Sequence, residues 1–190
     1  MDEVDRPPII CFVGKKNSGK TTLLVAVAAE LKRRGLRIAT AKHGHHELEI
    51  DQPGRDSWRH FHEGGAEAVL ILSSRKLALV MDTLGEEPDV LEAIDRHFGG
   101  RAYDAVLVEG YKHGNLPKIE IYRSRVHSRP VHDPMNPDAA ATFLALVTDD
   151  PSVAASCPVI PLDGSGPDGG HVQAVADLVE QRIRRNRVNG

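Results

Sequence analysis

The chain has 190 residues, of which 41% are hydrophobic and 27% charged, and these values are typical of one domain with an ordinary buried core over residues 1–190. The formal net charge of −3 and the aromatic content of 4% argue against nucleic acid as a partner. No stretch approaches the roughly 18 apolar residues of a membrane span, and no signal peptide precedes Pro7, so we expect no membrane association and a cytoplasmic location.

Short β-branched runs alternate with amphipathic stretches along the chain, which predicts an α/β fold with a mainly parallel central sheet flanked by helices. Strands are predicted at Pro8–Val13, Leu36–Ala41, Ala68–Ser73, Leu77–Met81, Tyr103–Glu109, Lys118–Tyr122, Phe143–Thr148 and Pro158–Pro161. Helices are predicted from Lys20 to just before Gly35, and at Arg55–Glu63, Pro88–Phe98 and His171–Arg185. Residues 43–54 and 124–139 fit neither pattern, and loops of that length in a compact domain are often functional.

Residues 14–21 read GKKNSGKT and match the pattern GxxxxGK[ST] in full, between an apolar strand and a helix. Glycines let successive N–H groups turn toward one anion, and the helix N-terminus adds partial positive charge. Lys20 is expected to reach the β- and γ-phosphates of a nucleoside triphosphate, and the Thr21 hydroxyl to bind Mg²⁺. The predicted phosphate-binding residues are Gly14, Lys15, Lys16, Asn17, Ser18, Gly19, Lys20 and Thr21.

A second acidic group is needed to position Mg²⁺, and it usually stands at the carboxyl end of a neighbouring buried strand. Glu109 follows the apolar run Ala105–Val108, and Gly110 permits a tight exit from that strand. Asp104 begins the same strand, so it should lie at the opposite edge of the sheet. Glu109 is therefore the predicted Mg²⁺ carboxylate, with a surface carboxylate at a strand end as the alternative.

An acidic, histidine-rich stretch, KHGHHELEIDQPGRDSWRH, leads from the second predicted strand into a helix. P-loop GTPases keep their γ-phosphate-sensing segment in this place, so Asp51 and Asp56 are candidates for orienting an attacking water. Asp56 equally suits the first turn of the helix, where the helix dipole favours a negative charge. Imidazole also suits Zn²⁺ or Ni²⁺, although no recognisable ligand spacing accompanies the histidines. Those histidines are His43, His45, His46, His60 and His62.

The residues alone do not decide which nucleotide base the site recognises. Guanine recognition usually requires a carboxylate that accepts hydrogen bonds from ring N1–H and the exocyclic amine, and the familiar Asn-Lys-x-Asp pattern is absent. LALVTDD ends a late strand, where Thr148 and Asp149 are candidates for this task. An aspartate in a turn after a strand gives the same pattern. Guanine and adenine both remain open at this point.

Four motifs together resemble the molybdopterin-guanine dinucleotide biosynthesis protein B (MobB) family: NSGKTTL, the loop-helix KH…DxPGRDSWRH…GA, VLVEGYK and PKIEIYR. The resemblance covers about residues 8–150. It implies a homodimeric GTP-binding protein of the class containing the nitrogenase iron protein, with slow GTP hydrolysis. It implies as partner the guanylyltransferase that attaches GMP to molybdopterin, and possible contact with molybdopterin itself. It assigns phosphate binding to residues 14–22, including Thr22, and supports Glu109, Asp51 and Asp56, with Lys112 and Lys118 facing an anion.

The predicted function is therefore that of a GTP-binding accessory protein, with weak Mg²⁺-dependent GTPase activity, in molybdopterin guanine dinucleotide synthesis. Lys15 matches the extra lysine of dimeric deviant P-loop ATPases, but the glycine pair that follows it there is missing, which argues against an inter-subunit role. Two other functions stay open: a nickel-insertion metallochaperone GTPase, favoured by the histidines, and a small-molecule kinase in which Lys112 and Lys118 hold an anionic acceptor.

Overall fold

The computed structural model describes residues 6–44, 51–164, 166 and 169–189. The chain divides into two compact units, one of residues 1–44 and 94–190 and the other of residues 45–93. The sequence predicts a single domain over residues 1–190, and this remains a prediction because the chain divides into two units. Across the described residues, no helix is both long and apolar enough to cross a membrane.

The first unit is built on a six-stranded sheet with the order β2-β5-β1-β6-β7-β8. Each strand lies parallel to its neighbours, so all carboxyl ends meet at one edge. The predicted class, a mainly parallel α/β fold, is confirmed. The strands are β1 (Ile9–Val13), β2 (Ile38–Lys42), β5 (Ala105–Glu109), β6 (Lys118–Tyr122), β7 (Phe143–Thr148) and β8 (Val159–Pro161).

Within the described residues, the helices occur close to their predicted positions, with one addition. They are α1 (Lys20–Arg33), α2 (Asp56–His62), α3 (Val90–Phe98), α4 (Pro137–Ala140) and α5 (Gly170–Asn189). The addition is α4, a single turn inside a stretch predicted as loop. Pro137 stands at its start, and the Asn136 side chain accepts a hydrogen bond from the Ala139 N–H. This cap nucleates a turn too short to show a helical period in the sequence.

A core cluster of buried residues joins one face of this sheet to α1 and α5. On α1 the residues Leu23, Val27 and Leu31 are buried, and on α5 Val172, Val175, Val179 and Ile183 are buried, as their helical spacing predicts. Strand residues of the same cluster, such as Ile10 and Phe12, alternate along their strands. Because α1 packs on the sheet through this core, its N-terminus is fixed at the carboxyl edge.

The second unit contains α2 and an antiparallel hairpin of β3 (Ala68–Leu72) and β4 (Leu77–Met81). The register pairs Leu70 with Leu79 and Leu72 with Leu77, so their side chains share one face of the hairpin. These four leucines are exposed. Both strands and the helix occur where the sequence predicts them.

Candidate functional site

The loop between β1 and α1 occupies the carboxyl edge of the sheet. Gly14 has φ +146° and Gly19 has φ +99°, conformations that favour glycine. A Cβ added at Gly14 would lie 2.5 Å from the Ile121 carbonyl oxygen and 2.6 Å from Ser18 Oγ, so a side chain does not fit there. The loop therefore packs tightly against the end of β6, as a backbone cradle requires.

Polar groups inside the loop suit a bound phosphate. The Lys20 ammonium donates a hydrogen bond to the Lys15 carbonyl oxygen at 2.8 Å. Ser18 Oγ is buried and has no hydrogen-bond partner among the described residues. Buried polar atoms are normally hydrogen-bonded, and an anion held at a helix N-terminus would supply an acceptor. The loop residues therefore fit a phosphate group.

Thr21 and Glu109 meet at the edge of the sheet. The Thr21 hydroxyl donates a hydrogen bond to Glu109 Oε1 at 2.8 Å. The register pairs Glu109 with Phe12, the second-last residue of β1, which brings the end of β5 beside the start of the loop. A hydroxyl and a carboxylate are oxygen ligands of the kind Mg²⁺ prefers. These two side chains therefore fit Mg²⁺ beside a phosphate.

Positive charge gathers around Lys20. Burial lowers the pKa of Lys20 most, the Glu109 carboxylate opposes that shift, and the charges of Lys112 and Lys42 lower the pKa further. Lys112 thus lies within electrostatic range of Lys20. Lys42 has the same influence, and it is the first residue of the stretch KHGHHELEIDQPGRDSWRH. Its position at the end of β2, on the carboxyl edge, is the signal that identifies it.

The structure does not bring Lys118 to this edge. Lys118 is the first residue of β6 and is buried. Its ammonium donates hydrogen bonds to the carbonyl oxygens of Gly114 at 2.6 Å and Leu116 at 2.9 Å, and to Thr142 Oγ1 at 3.1 Å. The three protons of the ammonium are therefore directed at protein oxygens, which accounts for its tolerated burial.

Thr148 and Asp149 stand at the carboxyl end of β7. The buried Thr148 hydroxyl oxygen accepts a hydrogen bond from the Asp150 N–H at 3.0 Å. Asp149 Oδ1 accepts a hydrogen bond from the Ser124 N–H at 2.7 Å. Because β7 is parallel to β6 and β1, Asp149 lies on the same edge of the sheet as the phosphate loop.

The segment of residues 123–132, which follows β6, contacts the phosphate loop at two points. Lys15 Nζ donates a hydrogen bond to the Arg129 carbonyl oxygen, and His127 Nε2 contacts the Lys16 carbonyl oxygen, both at 2.7 Å. The buried Glu120 carboxylate accepts hydrogen bonds at 2.6 Å from the N–H groups of residues 131 and 132. Glu120 thus anchors the segment, and a strand pattern gives no sign of that task.

The remaining predicted residues belong to the second unit or to the end of β2. Asp51 Oδ1 accepts a hydrogen bond from the Gln52 N–H at 2.8 Å, and Asp56 is the first residue of α2. The His62 ring stacks on Trp58 with ring centroids 4.3 Å apart. The His43 ring stands edge-on to Tyr111 at 5.3 Å. His45 and His46 lie outside the described residues, and no group of three potential metal ligands occurs within them.

A strand, a glycine-rich loop closing onto a helix, and a strand-end carboxylate bonded to the threonine of that loop define a P-loop nucleotide-binding fold. Residues 9–149 match the family model described as "MobB: Molybdopterin guanine dinucleotide synthesis protein B". The chain belongs to this family.

Similar proteins agree with this assignment. One is the molybdopterin-guanine dinucleotide biosynthesis adapter protein of Haemophilus influenzae, 31% identical over 91% of this chain and 88% of that protein. The protein of the same name from Escherichia coli is 34% identical over 65% of this chain and 70% of its own length. The chain also superposes on the crystal structure of Bacillus subtilis MobB with a TM-score of 0.65, over 90% of this chain and 97% of that one. The sequence identity is 22%, so this likeness shows the fold.

Proposed function

We propose that the phosphate loop binds GTP with Mg²⁺. The hydrogen bond between Thr21 and Glu109 carries this proposal, because it gathers two oxygen ligands for Mg²⁺ beside a loop whose amides and Lys20 suit the β- and γ-phosphates. The cationic surroundings of Lys20 support a polyanionic ligand. The proposed phosphate contacts are residues 14–22, with Lys112 close by.

Guanine is proposed as the base, read by Thr148 and Asp149. Asp149 directly follows β7 on the same edge as the phosphate loop, which supports a ligand that spans both. Its carboxylate already accepts one backbone N–H, from Ser124. The ring N1–H and the exocyclic amine of guanine would offer two further donors to that carboxylate, whereas adenine presents an unprotonated N1.

Hydrolysis at this site is proposed to be slow. Water would attack the γ-phosphorus, the bond to the β,γ-bridging oxygen would break, and GDP and inorganic phosphate would leave. Lys20 and Mg²⁺ would stabilise charge on the phosphates, and Asp51 and Asp56 stay proposed as the residues that orient water. If hydrolysis is slow, the protein acts mainly as an accessory factor rather than as a fast GTPase.

The proposed biological role is that of an adapter in molybdopterin guanine dinucleotide synthesis, in the cytoplasm. Membership of the MobB family supports it, as do the names of the relatives, which are called adapter proteins of that biosynthesis. The proposed partner is the guanylyltransferase that attaches GMP to molybdopterin, and molybdopterin itself is a possible ligand. A GTP-binding adapter would suit a reaction that consumes GTP.

A homodimer is also proposed, on the basis of the β3–β4 hairpin. One face of it carries five apolar side chains that are between 43% and 66% exposed. A two-stranded hairpin is marginal alone, and a contiguous apolar patch marks an interface. We propose that a second copy of the chain packs against this apolar face. The five side chains are Leu70, Leu72, Leu77, Leu79 and Met81.

The proposal is tested by immobilising the chain and passing purified molybdopterin guanylyltransferase over it, with Mg²⁺ and a non-hydrolysable GTP analogue. We expect retention of the transferase that increases with the analogue. Lys20→Ala should remove the increase, because its phosphate loop no longer holds the nucleotide, while Lys32→Ala should keep it. Absence of retention in all conditions would refute the adapter role with this partner.

A further inference from the structure

Lys42 ends β2 directly beside Glu109 and on the same face of the sheet. The register pairs Lys42 with Glu109 across parallel strands, and paired residues send their side chains to the same face. Glu109 reaches Thr21 of α1, so that face is the one covered by α1. Side chains along a strand alternate between its two faces, so Ile38 and Lys42, four positions apart, share a face. Ile38 packs against the core beneath α1, which agrees with this placement of Lys42.

The backbone around Lys42 is fixed relative to the phosphate loop. The His43 N–H donates a hydrogen bond to the Glu109 carbonyl oxygen at 2.9 Å, and the Gly110 N–H donates one to the Phe12 carbonyl oxygen at 3.0 Å. Gly110 has φ +96°, and a Cβ there would overlap the His43 carbonyl oxygen. The ends of β2, β5 and β1 are therefore locked side by side, with the phosphate loop following β1.

Lys42 presents an exposed positive charge at this place. It stands on the carboxyl edge of the sheet, the edge that also carries the phosphate loop with Lys20. Like charges held near one another raise the free energy of the folded chain, and an anion between them removes that cost. The order β2-β5-β1 puts Lys42 on the far side of Glu109 from the loop.

We propose that Lys42 is a further catalytic residue, whose ammonium contacts the γ-phosphate of the bound triphosphate from the β2 side. The inference rests on the proposed function. Thr21 and Glu109 would hold Mg²⁺ beside the phosphates, and Lys42 lies one strand beyond them from the loop, so we expect Lys42 to meet the terminal phosphate and not the diphosphate. A cation there stabilises charge on the γ-phosphate oxygens, as an arginine does in other P-loop enzymes.

A lysine on an edge strand has another ordinary use, which is to discourage pairing with other chains. That use requires no nucleotide, so the two explanations make different predictions. A γ-phosphate contact distinguishes a triphosphate from a diphosphate, whereas an edge charge affects only self-association.

The test compares the affinities of wild type, Lys42→Met and Lys42→Arg for GDP and for a non-hydrolysable GTP analogue, by calorimetry with Mg²⁺. Methionine keeps the length of the stem and removes the charge. We expect Lys42→Met to bind the analogue about tenfold to hundredfold more weakly, the range for one charged hydrogen bond, with GDP affinity within about twofold of wild type. Lys42→Arg should retain most of the preference for the triphosphate. Lys32→Met, which removes an exposed lysine from the last turn of α1, is the matched control and should change neither affinity.

Three outcomes overturn the inference. If Lys42→Met folds by circular dichroism and keeps the wild-type preference for the analogue, Lys42 does not contact the γ-phosphate. If it weakens GDP and analogue equally, the residue acts on the loop as a whole. If the wild type binds neither nucleotide, the proposed function fails and the inference fails with it, which separates that case from the first two.

Discussion

Replacing Gly14 by alanine tests the close packing of the phosphate loop on β6. The added methyl group would lie 2.5 Å from the Ile121 carbonyl oxygen, a backbone atom that moves only if β6 moves. Overpacking of this kind costs about 1–3 kcal/mol. The conformation at φ +146° adds strain of about 1–3 kcal/mol for a residue with a side chain. We therefore expect Gly14→Ala to lower the free energy of unfolding by about 2–6 kcal/mol.

The matched control is Gly35→Ala, just after α1. Gly35 also has a positive φ, +84°, but a Cβ there meets nothing within 4 Å, so this variant carries the conformational cost of about 1–2 kcal/mol alone. Urea unfolding of wild type and both variants, followed by circular dichroism, gives the two losses. Gly14→Ala should be clearly the less stable and should bind nucleotide poorly. Equal losses in the two variants would show that the loop does not approach β6 as described.

Three further predictions concern single charged groups. Lys20→Ala should abolish binding of the GTP analogue by calorimetry while the unfolding transition stays near that of wild type, and unchanged affinity would remove the loop from the site. Glu109→Gln should lower Mg²⁺-dependent turnover by about tenfold or more and nucleotide binding much less, and wild-type turnover across a Mg²⁺ titration would mean that another group holds the metal. Hydrogen bonds from Arg33, and then from Arg34, lower the pKa of Glu30 to about 2. A carboxyl group whose pKa is lowered in the folded state stabilises the fold at pH values above its pKa in the unfolded chain. This contribution to the free energy of unfolding should therefore disappear as the pH falls from about 4.5 to about 2. The loss should be less steep in Arg34→Met, and the same acid dependence in that variant would contradict the assignment.

The sequence predicts the elements of the fold well because each has a strong local pattern. Buried stretches such as Ala105–Val108 are continuous apolar runs, and α5 carries an apolar stripe at helical spacing. The order of the strands is not local, because β5 lies between β1 and β2 through a crossover from far along the chain. The turn α4 depends on one cap at Asn136, which a periodic pattern does not contain.

The candidate site is only partly readable from the sequence, for a related reason. The loop and Glu109 follow from strand ends and from a motif with a known mechanism. Lys118 faces carbonyl oxygens of the preceding loop, and no strand pattern distinguishes such a buried ammonium from one that faces a ligand. Glu120 and Lys42 take their significance from contacts with segments distant in sequence, so the parallel register is needed to identify them.

Competition between GTP and ATP for a fluorescent guanine nucleotide, with Mg²⁺, tests the central claim most directly. If Asp149 accepts hydrogen bonds from guanine, an adenine base leaves the carboxylate short of donors, at a cost of about 1–3 kcal/mol for each unsatisfied group. GTP should therefore bind about tenfold to hundredfold more tightly than ATP, and Asp149→Asn should narrow that ratio. Equal affinity of the wild-type chain for GTP and ATP would contradict a guanine-nucleotide adapter.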